Sequence, residues 1–306
     1  MASSLRTRVE QDMTKHTLGH IEAKLQGMLG GRTTFVVLEG ADDLAFYKRF
    51  FDISKTASYY STKMNDEGKV QDGGCEELQH IVRTVLAGGT TDRIVGIMDT
   101  DYRRYLPRYV YPQNIFHTDH RDMEMTAMST LSVQQALRGW IAGFDRILDG
   151  LRPMLRHAGK LRIMNDRFGL GCSFKKRVKI SSIFDTREQS VVKHWRARYD
   201  RKFLDACLRK RKQTFSGLVK TLAGLSKAAL FCLTHPFSHE SDYDVCQGHD
   251  TMQLLSLSLV NTATYSPDAI WEKCFDAYTF DDFKGTRLHA SLHAWEQATG
   301  AKVIMD

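Results

Sequence analysis

Two short apolar runs in this chain stop abruptly at acids. Phe35-Val36-Val37-Leu38 leads directly into Glu39-Gly40, and Ile94 to Met98 leads directly into Asp99-Thr100-Asp101. Runs of four or five apolar residues, rich in β-formers, read as strands buried on both faces. Such strands belong to parallel sheets covered by helices. The surrounding pattern agrees. Asp42 and Asp43 open a helical stretch, LAFYKRFF, with acids placed to suit its N-terminus. Ala57 to Thr62 predicts a second strand, Lys63 to Gly74 a polar loop, and Glu76 to Leu86 a helix with Leu78, Ile81, Val82, Val85 and Leu86 at helical spacing. Asn114 to Thr118 predicts a fourth short strand, followed by a helix from about Asp122.

This order implies an α/β fold: a parallel sheet flanked by helices, with right-handed crossovers. The first 30 or so residues read as an amphipathic helix ending at Gly30-Gly31. Beyond Ala136 the periodicity is mainly helical, clearest in Phe203 to Lys212, Leu218 to Leu233 and Thr251 to Val260. A small strand pair is expected around Leu161 to Met164 and Val178 to Ile183. The expected division is a catalytic domain over 1–135 and a basic, mainly helical domain over 136–306. At 306 residues a sizeable core can form without metal or disulfides.

Charge is distributed unevenly. The net of +7 conceals a strongly basic middle: residues 131–235 carry 23 Lys/Arg against 7 Asp/Glu, whereas the flanking thirds are acidic. Lys175, Lys176, Arg177 and Lys179 form one cluster, and Arg209, Lys210, Arg211 and Lys212 a second, with Phe168, Phe174, Trp195 and Tyr199 interleaved. Concentrated positive potential of this kind suits a polyanion such as RNA or DNA. The alternative is a solvated helix face, or a dock for an acidic partner.

The six cysteines contain no CxxC pair, which disfavours a zinc ribbon and suits a reducing compartment. The first residues, MASSLRTRVEQDM, lack an apolar signal core, and the longest apolar runs fall short of the ~20 residues that span a bilayer. These features predict a soluble, cytoplasmic protein with no membrane contact. No GxxxxGK[ST] is present, so the chain builds no P-loop, and Gly169-Leu170-Gly171 lacks the third glycine of a dinucleotide fingerprint.

Ligands of open α/β sheets sit beyond the carboxyl ends of the strands. Glu39 ends one strand, Asp99 and Asp101 another, and Asp43 lies one turn into the helix after Glu39. Acids so close together call for a cation, and hard oxygen donors select Mg²⁺ or Mn²⁺. The competing reading makes them helix caps and turn residues, Asp42 above all.

The combination VLEGADD…FY, RIVGIMDTD and NIFHTDHRDME, over about residues 30–130, resembles a Toprim domain. More narrowly, it is similar to the Toprim branch related to OLD-family nucleases and to the family of AriB, the effector of the PARIS anti-phage system. The resemblance implies that Glu39, Asp99 and Asp101 are catalytic. It also implies that Glu39, Asp43, Asp99, Asp101 and Glu124 bind metal. The segment 102–113 is longer and more aromatic than a minimal Toprim needs, and Gly248-His249-Asp250 fits the effector family loosely. The implied activity is a Mg²⁺-dependent endonuclease, toxic in anti-phage defence and cleaving tRNA. It would be restrained by a separate ABC- or AAA-type ATPase sensor, AriA-like, and would form a homodimer on release. The alternatives are a DNA nuclease, or a non-enzymatic binding module with structural acids.

Weaker candidates complete the reading. His117 and His120 have a spacing that zinc sites also use, and His120 could instead hydrogen-bond Glu124. His289 and His293 lie one helical turn apart and read as surface residues. Asp250 reads as the N-cap of an apolar helix.

Overall fold

The computed structural model describes residues 33–306 apart from 65–69, 90–91, 107–108, 111, 186–187, 189, 212–214, 236 and 260–263. The amphipathic helix expected in the first 30 residues lies outside the described residues. Two compact units are present. The first comprises the described residues of Met1–Thr100, Arg108–Asp119 and Tyr278–Asp306, and the second those of Asp101–Pro107 and His120–Ala277.

The first unit is built on a four-stranded parallel sheet. Strands β1 (Thr34–Leu38) and β2 (Thr56–Tyr60) are followed by the short β3 (Thr62–Met64) and β4 (Val70–Asp72), then β5 (Ile94–Met98) and β6 (Ile115–His117). The sheet order is β2-β1-β5-β6. β1 is sealed along its whole length. It pairs with both neighbours, Val37 opposite Tyr59 on one side and Leu38 opposite Ile97 on the other. Helix Gly74–Ala87 covers one face, packing Leu78, Ile81, Val82 and Val85 against Phe35, Val37, Ile94, Met98 and Ile115. Gly96 is needed here, because a β-carbon would sit 2.7 Å from Leu78 Cδ2.

The stretch expected as a loop over Lys63 to Gly74 instead supplies β3 and β4, an antiparallel pair with Lys63 opposite Gln71. Both strands are short and largely polar, so no apolar alternation announces them.

The chain returns to this unit at its end, which moves the expected boundary at 135/136. Helices Phe280–Lys284 and Arg287–Thr299 belong to the sheet unit. Phe50 stacks on Phe283 with centroids 4.9 Å apart, and Phe46 lies 4.9 Å from Tyr278. Asp119 caps the second of these helices, accepting from Arg287 N at 2.8 Å and Leu288 N at 3.0 Å. Buried Glu296 accepts from Val303 N at 2.5 Å and Ile304 N at 2.7 Å, and Ile304 bridges to Phe51.

The second unit is helical, as expected for the region after Ala136. Its longest element is helix Phe144–Arg167, joined by Leu131–Trp140, Trp195–Arg211, Phe215–Thr234, Gly248–Leu257 and Pro267–Ala277. Leu161 to Met164 lie in the long helix rather than in a strand. Their neighbours Leu151, Met154, Leu155 and Ala158 continue a buried helical stripe. The small strand pair is β7 (Phe184–Asp185) with β8 (Ser190–Val191), and Ile180–Ile183 is a 3₁₀ turn. Gly159 lies so close to Val245 that a β-carbon would sit 2.0 Å from its carbonyl oxygen. Among the described residues one helix, Ser216–Thr234, is apolar and long enough to cross a membrane by length and composition. It carries Lys220 and Lys227, both exposed.

Glu296→Ala strips two buried backbone N–H groups of their acceptor. It should cost about 2–3 kcal/mol, since an unsatisfied buried polar group costs roughly 1–3 kcal/mol. Urea denaturation would show this as a lower midpoint with an unchanged slope.

Candidate active site

In the sheet unit, parallel pairing of β1 with β5 brings their carboxyl ends side by side. Glu39 and Asp99 follow at once, both half-buried, and Asp99 N lies 3.4 Å from Glu39 Oε2. Ser61 Oγ donates to the Glu39 carbonyl at 2.9 Å and to the Gly74 carbonyl at 3.1 Å, fixing the edge from the β2 side. Gly40 is the N-cap of helix Ala41–Tyr47. A β-carbon on Gly40 would sit 3.2 Å from Asp43 Oδ2, so the Asp43 carboxylate folds back over the strand end. Three of the five expected metal ligands therefore lie in this unit.

Tyr47, on the same helix, is fully buried, and its hydroxyl has no hydrogen-bond partner among the described residues. Burial raises its pKa well above the ordinary value, with Tyr278, Asp99, Asp43 and Asp119 adding to the shift. A hydrated hard cation near Asp43 and Asp99 would offer this hydroxyl an oxygen partner. The donors Glu39, Asp43 and Asp99 fit Mg²⁺ or Mn²⁺ in chemistry. Their side chains are not drawn into a closed shell: among the described residues no three His, Cys, Asp or Glu side chains form a metal-binding cluster.

Asp101 and Glu124, the other two expected ligands, belong to the helical unit. Asp101 has a left-handed backbone, φ 49°. Its carboxylate accepts from the buried Arg103 at 3.0 Å. Glu124 is buried on helix Met123–Met128, and its Oε1 lies 2.7 Å from His249 Nδ1. That contact gives Glu124 a partner other than the expected metal. His120, considered beside Glu124, instead meets Asp244 at 2.9 Å and lies on the same acid as Arg104.

His249 follows Gly248 at the start of helix Gly248–Leu257. Gly248 N donates to Asp122 Oδ2 at 2.8 Å, and Asp122 Oδ1 caps Met125 N at 2.9 Å. A β-carbon on Gly248 would lie 2.3 Å from Glu124 Cβ, so only glycine fits. Asp250 is not the N-cap, which is Gln247. Its carboxylate instead receives a two-point grip from Arg162, 2.8 Å at each oxygen. Sequence reasoning therefore underrated Gly248-His249-Asp250. The available signal was a glycine and an acid flanking a histidine, a pattern with no fixed meaning until its partners are known.

The electrostatics of this cluster are uneven. Burial, reinforced by the Glu124 charge, raises Asp122 to about 7. Glu124 is lowered: its hydrogen bond and ion pair with His249 outweigh its burial. His249 is raised to about 9, first by its hydrogen bond to Glu124 and then by that carboxylate's charge.

The basic residues lie in the same helical unit. Lys175, Lys176, Arg177 and Lys179 are exposed ahead of the 3₁₀ turn, and Arg209 is exposed on helix Trp195–Arg211. Lys210 and Arg211 occupy the same helix, and Lys212 lies outside the described residues. An open cavity of about 400 Å³ is lined by Arg177, Lys202, Asp205, Ala206 and Arg209. It brings one residue from each sequence cluster together and adds Lys202, which sequence reasoning missed. No protein-family model and no curated protein matches the sequence.

Gly248→Ala should destabilise the protein by about 1–3 kcal/mol, the usual cost of overpacking. The variant should unfold at lower urea concentration. Unchanged stability would show that the backbone yields at this point.

Proposed function

We propose that the chain is a metal-dependent phosphodiesterase acting on nucleic acid. The reading rests on one observation above the rest: Glu39 and Asp99 leave adjacent parallel strands side by side, with Asp43 folded over Gly40 between strand and helix. Carboxylates there suit a divalent cation better than a neutral ligand. Glu39, Asp43 and Asp99 would hold Mg²⁺ or Mn²⁺. When bound, the ion would supply positive charge to a phosphoryl group and would make water more acidic.

The Toprim resemblance narrows this reading to an effector endonuclease of anti-phage defence, with tRNA as substrate, an ATPase sensor as restraint and a homodimer on release. For Asp101 a metal role is implied by the resemblance alone; its carboxylate is paired with Arg103. Arg177, Lys202 and Arg209 hold backbone phosphate in the cavity they line, within a domain whose sequence is strongly basic. Asp205, in the same cavity, accepts from a hydroxyl or amino group carried beside that phosphate.

Cleavage of tRNA and of DNA oligonucleotides, followed on gels with Mg²⁺ and with EDTA, tests the reading. Wild-type protein should cut tRNA only with the metal. Glu39→Ala and Asp99→Ala should each lower the rate at least about 100-fold, as loss of a group central to transition-state charge does, while leaving the unfolding curve in place. Equal cleavage by these variants would leave the acids structural.

Binding is separable from cleavage. With EDTA present, Lys202→Ala combined with Arg209→Ala should weaken tRNA retention and flatten the slope of log affinity against log salt by about 2, roughly one for each phosphate left without its cation. Fluorescence anisotropy across a salt series measures it.

A further inference from the structure

We propose that the outer face of helix Phe215–Thr234 docks on an anionic membrane surface, lying along it with its leucines among the acyl chains and its lysines at the headgroups. The inference stands on the helical unit alone and draws nothing from the phosphodiesterase reading.

The helix is packed inside out. Its inward side is made of small residues: Thr221, Gly224 and Ala228, three and four positions apart, are buried. A β-carbon on Gly224 would sit 2.9 Å from Leu170 Cδ2, so the backbone itself lies against the unit. Phe231 anchors the far end, its ring centroid 5.8 Å from that of Phe168 and 5.5 Å from that of Phe237. The large apolar side chains point the other way. Val219 is 48% exposed, Leu222 50%, Leu230 62% and Leu233 85%. Ser226 and Ala229, also exposed, fill the positions between them, so the whole set forms one stripe at helical spacing. A helix of a soluble unit ordinarily turns such a stripe to its core. Four large apolar side chains in a row on the outside mark an interaction surface.

Charge selects the occupant. The helix contains no Asp or Glu. Lys220 and Lys227 are exposed and, seven positions apart, share one flank of the stripe. Helix Trp195–Arg211, packed alongside, exposes Arg201, Lys202 and Arg209. A second copy of this face would bring more lysine to a surface that is already cationic. A helix from a partner protein is held in a groove, whose walls shield the side chains that line it. Leu230 and Leu233 instead protrude as a ridge. An anionic bilayer meets both demands, because acyl chains receive the leucines and acidic headgroups the lysines. Apolar insertion and basic attraction hold together where either alone is weak.

The helix lies along the bilayer rather than through it. Its small face is packed into the unit, and both lysines fall within its length. The expectation of no membrane contact rests on spanning length, a condition that a helix lying in the surface does not have to meet.

Co-sedimentation of the full chain with lipid vesicles tests this. One set contains phosphatidylcholine and phosphatidylserine in equal parts, the other phosphatidylcholine alone. Wild-type protein should bind the first set and bind the second at least about 10-fold more weakly. Leu230→Ser combined with Leu233→Ser should weaken binding about 100-fold, roughly tenfold for each leucine withdrawn. Urea unfolding should not move, because both side chains already face water. Lys220→Gln combined with Lys227→Gln should cost about 10-fold or more on the phosphatidylserine vesicles, each cation near the surface being worth roughly fivefold. Leu233→Trp should add indole emission that bromine-labelled acyl chains quench.

Binding untouched by the leucine substitutions would reduce the contact to charge alone and overturn the proposal. Wild-type protein that binds neither vesicle would overturn it as well, and would leave an acidic partner helix as the occupant. A dimer in lipid-free sedimentation velocity that Leu230→Ser with Leu233→Ser dissociates would give the face to a second copy instead.

Discussion

A strand sealed on both faces can carry no ionisable group along its length. β1 is such a strand, with all five residues buried between β2 and β5. An unpaired charge there would face the full cost of leaving water. Charged chemistry on this sheet is therefore pushed to the strand ends, where the backbone turns out of the core and solvent returns. Parallel pairing then sets the ends of neighbouring strands side by side. The closeness of Glu39 and Asp99 follows from that register, as does the position of Asp43 one helical turn later. Gly40 and Gly96 serve the same architecture: one leaves room for a carboxylate over the strand end, the other lets helix Gly74–Ala87 lie flat on the sheet.

Much of the sheet was legible because its signal is local. An apolar run with abrupt polar ends identifies β1 and β5 without knowledge of any partner, and the spacing of Leu78, Ile81, Val82 and Val85 identifies the covering helix. The C-terminal return was not legible. Glu296 satisfies the N–H groups of Val303 and Ile304, and Asp119 caps a helix 168 residues later in sequence. Neither interaction leaves a periodic trace. The short pair of β3 and β4 was missed for a related reason: its strands are held by backbone hydrogen bonds and show no apolar alternation.

Charge was legible in amount but not in arrangement. The sequence shows a basic middle third, yet only folding shows which cations share a cavity. Arg177 and Arg209, 32 positions apart, line one cavity with Lys202 between them in sequence, while Lys175, Lys176 and Lys179 are exposed. Asp205 in that lining matters chemically. It places a hydrogen-bond acceptor beside the cations, so the lining is mixed in sign rather than purely cationic.

The acids around His249 show why residue type alone does not assign a role. Asp122 and Glu124 are two positions apart, both buried, and both placed by the same helix start. Asp122 accepts from two backbone N–H groups, and these bonds and the nearby Arg121 offset burial and the neighbouring Glu124 charge only in part, so it is raised toward neutrality. Glu124 has an imidazole at hydrogen-bond distance and stays ionised more readily than a free glutamate. Each state supports the other: an ionised Glu124 disfavours charge on Asp122, and His249 can remain protonated because one of the two acids is firmly negative. Two like residues are thus separated in ionisation, and the main difference between them is the interaction of Glu124 with His249 of helix Gly248–Leu257. That interaction needs a residue without a β-carbon at position 248.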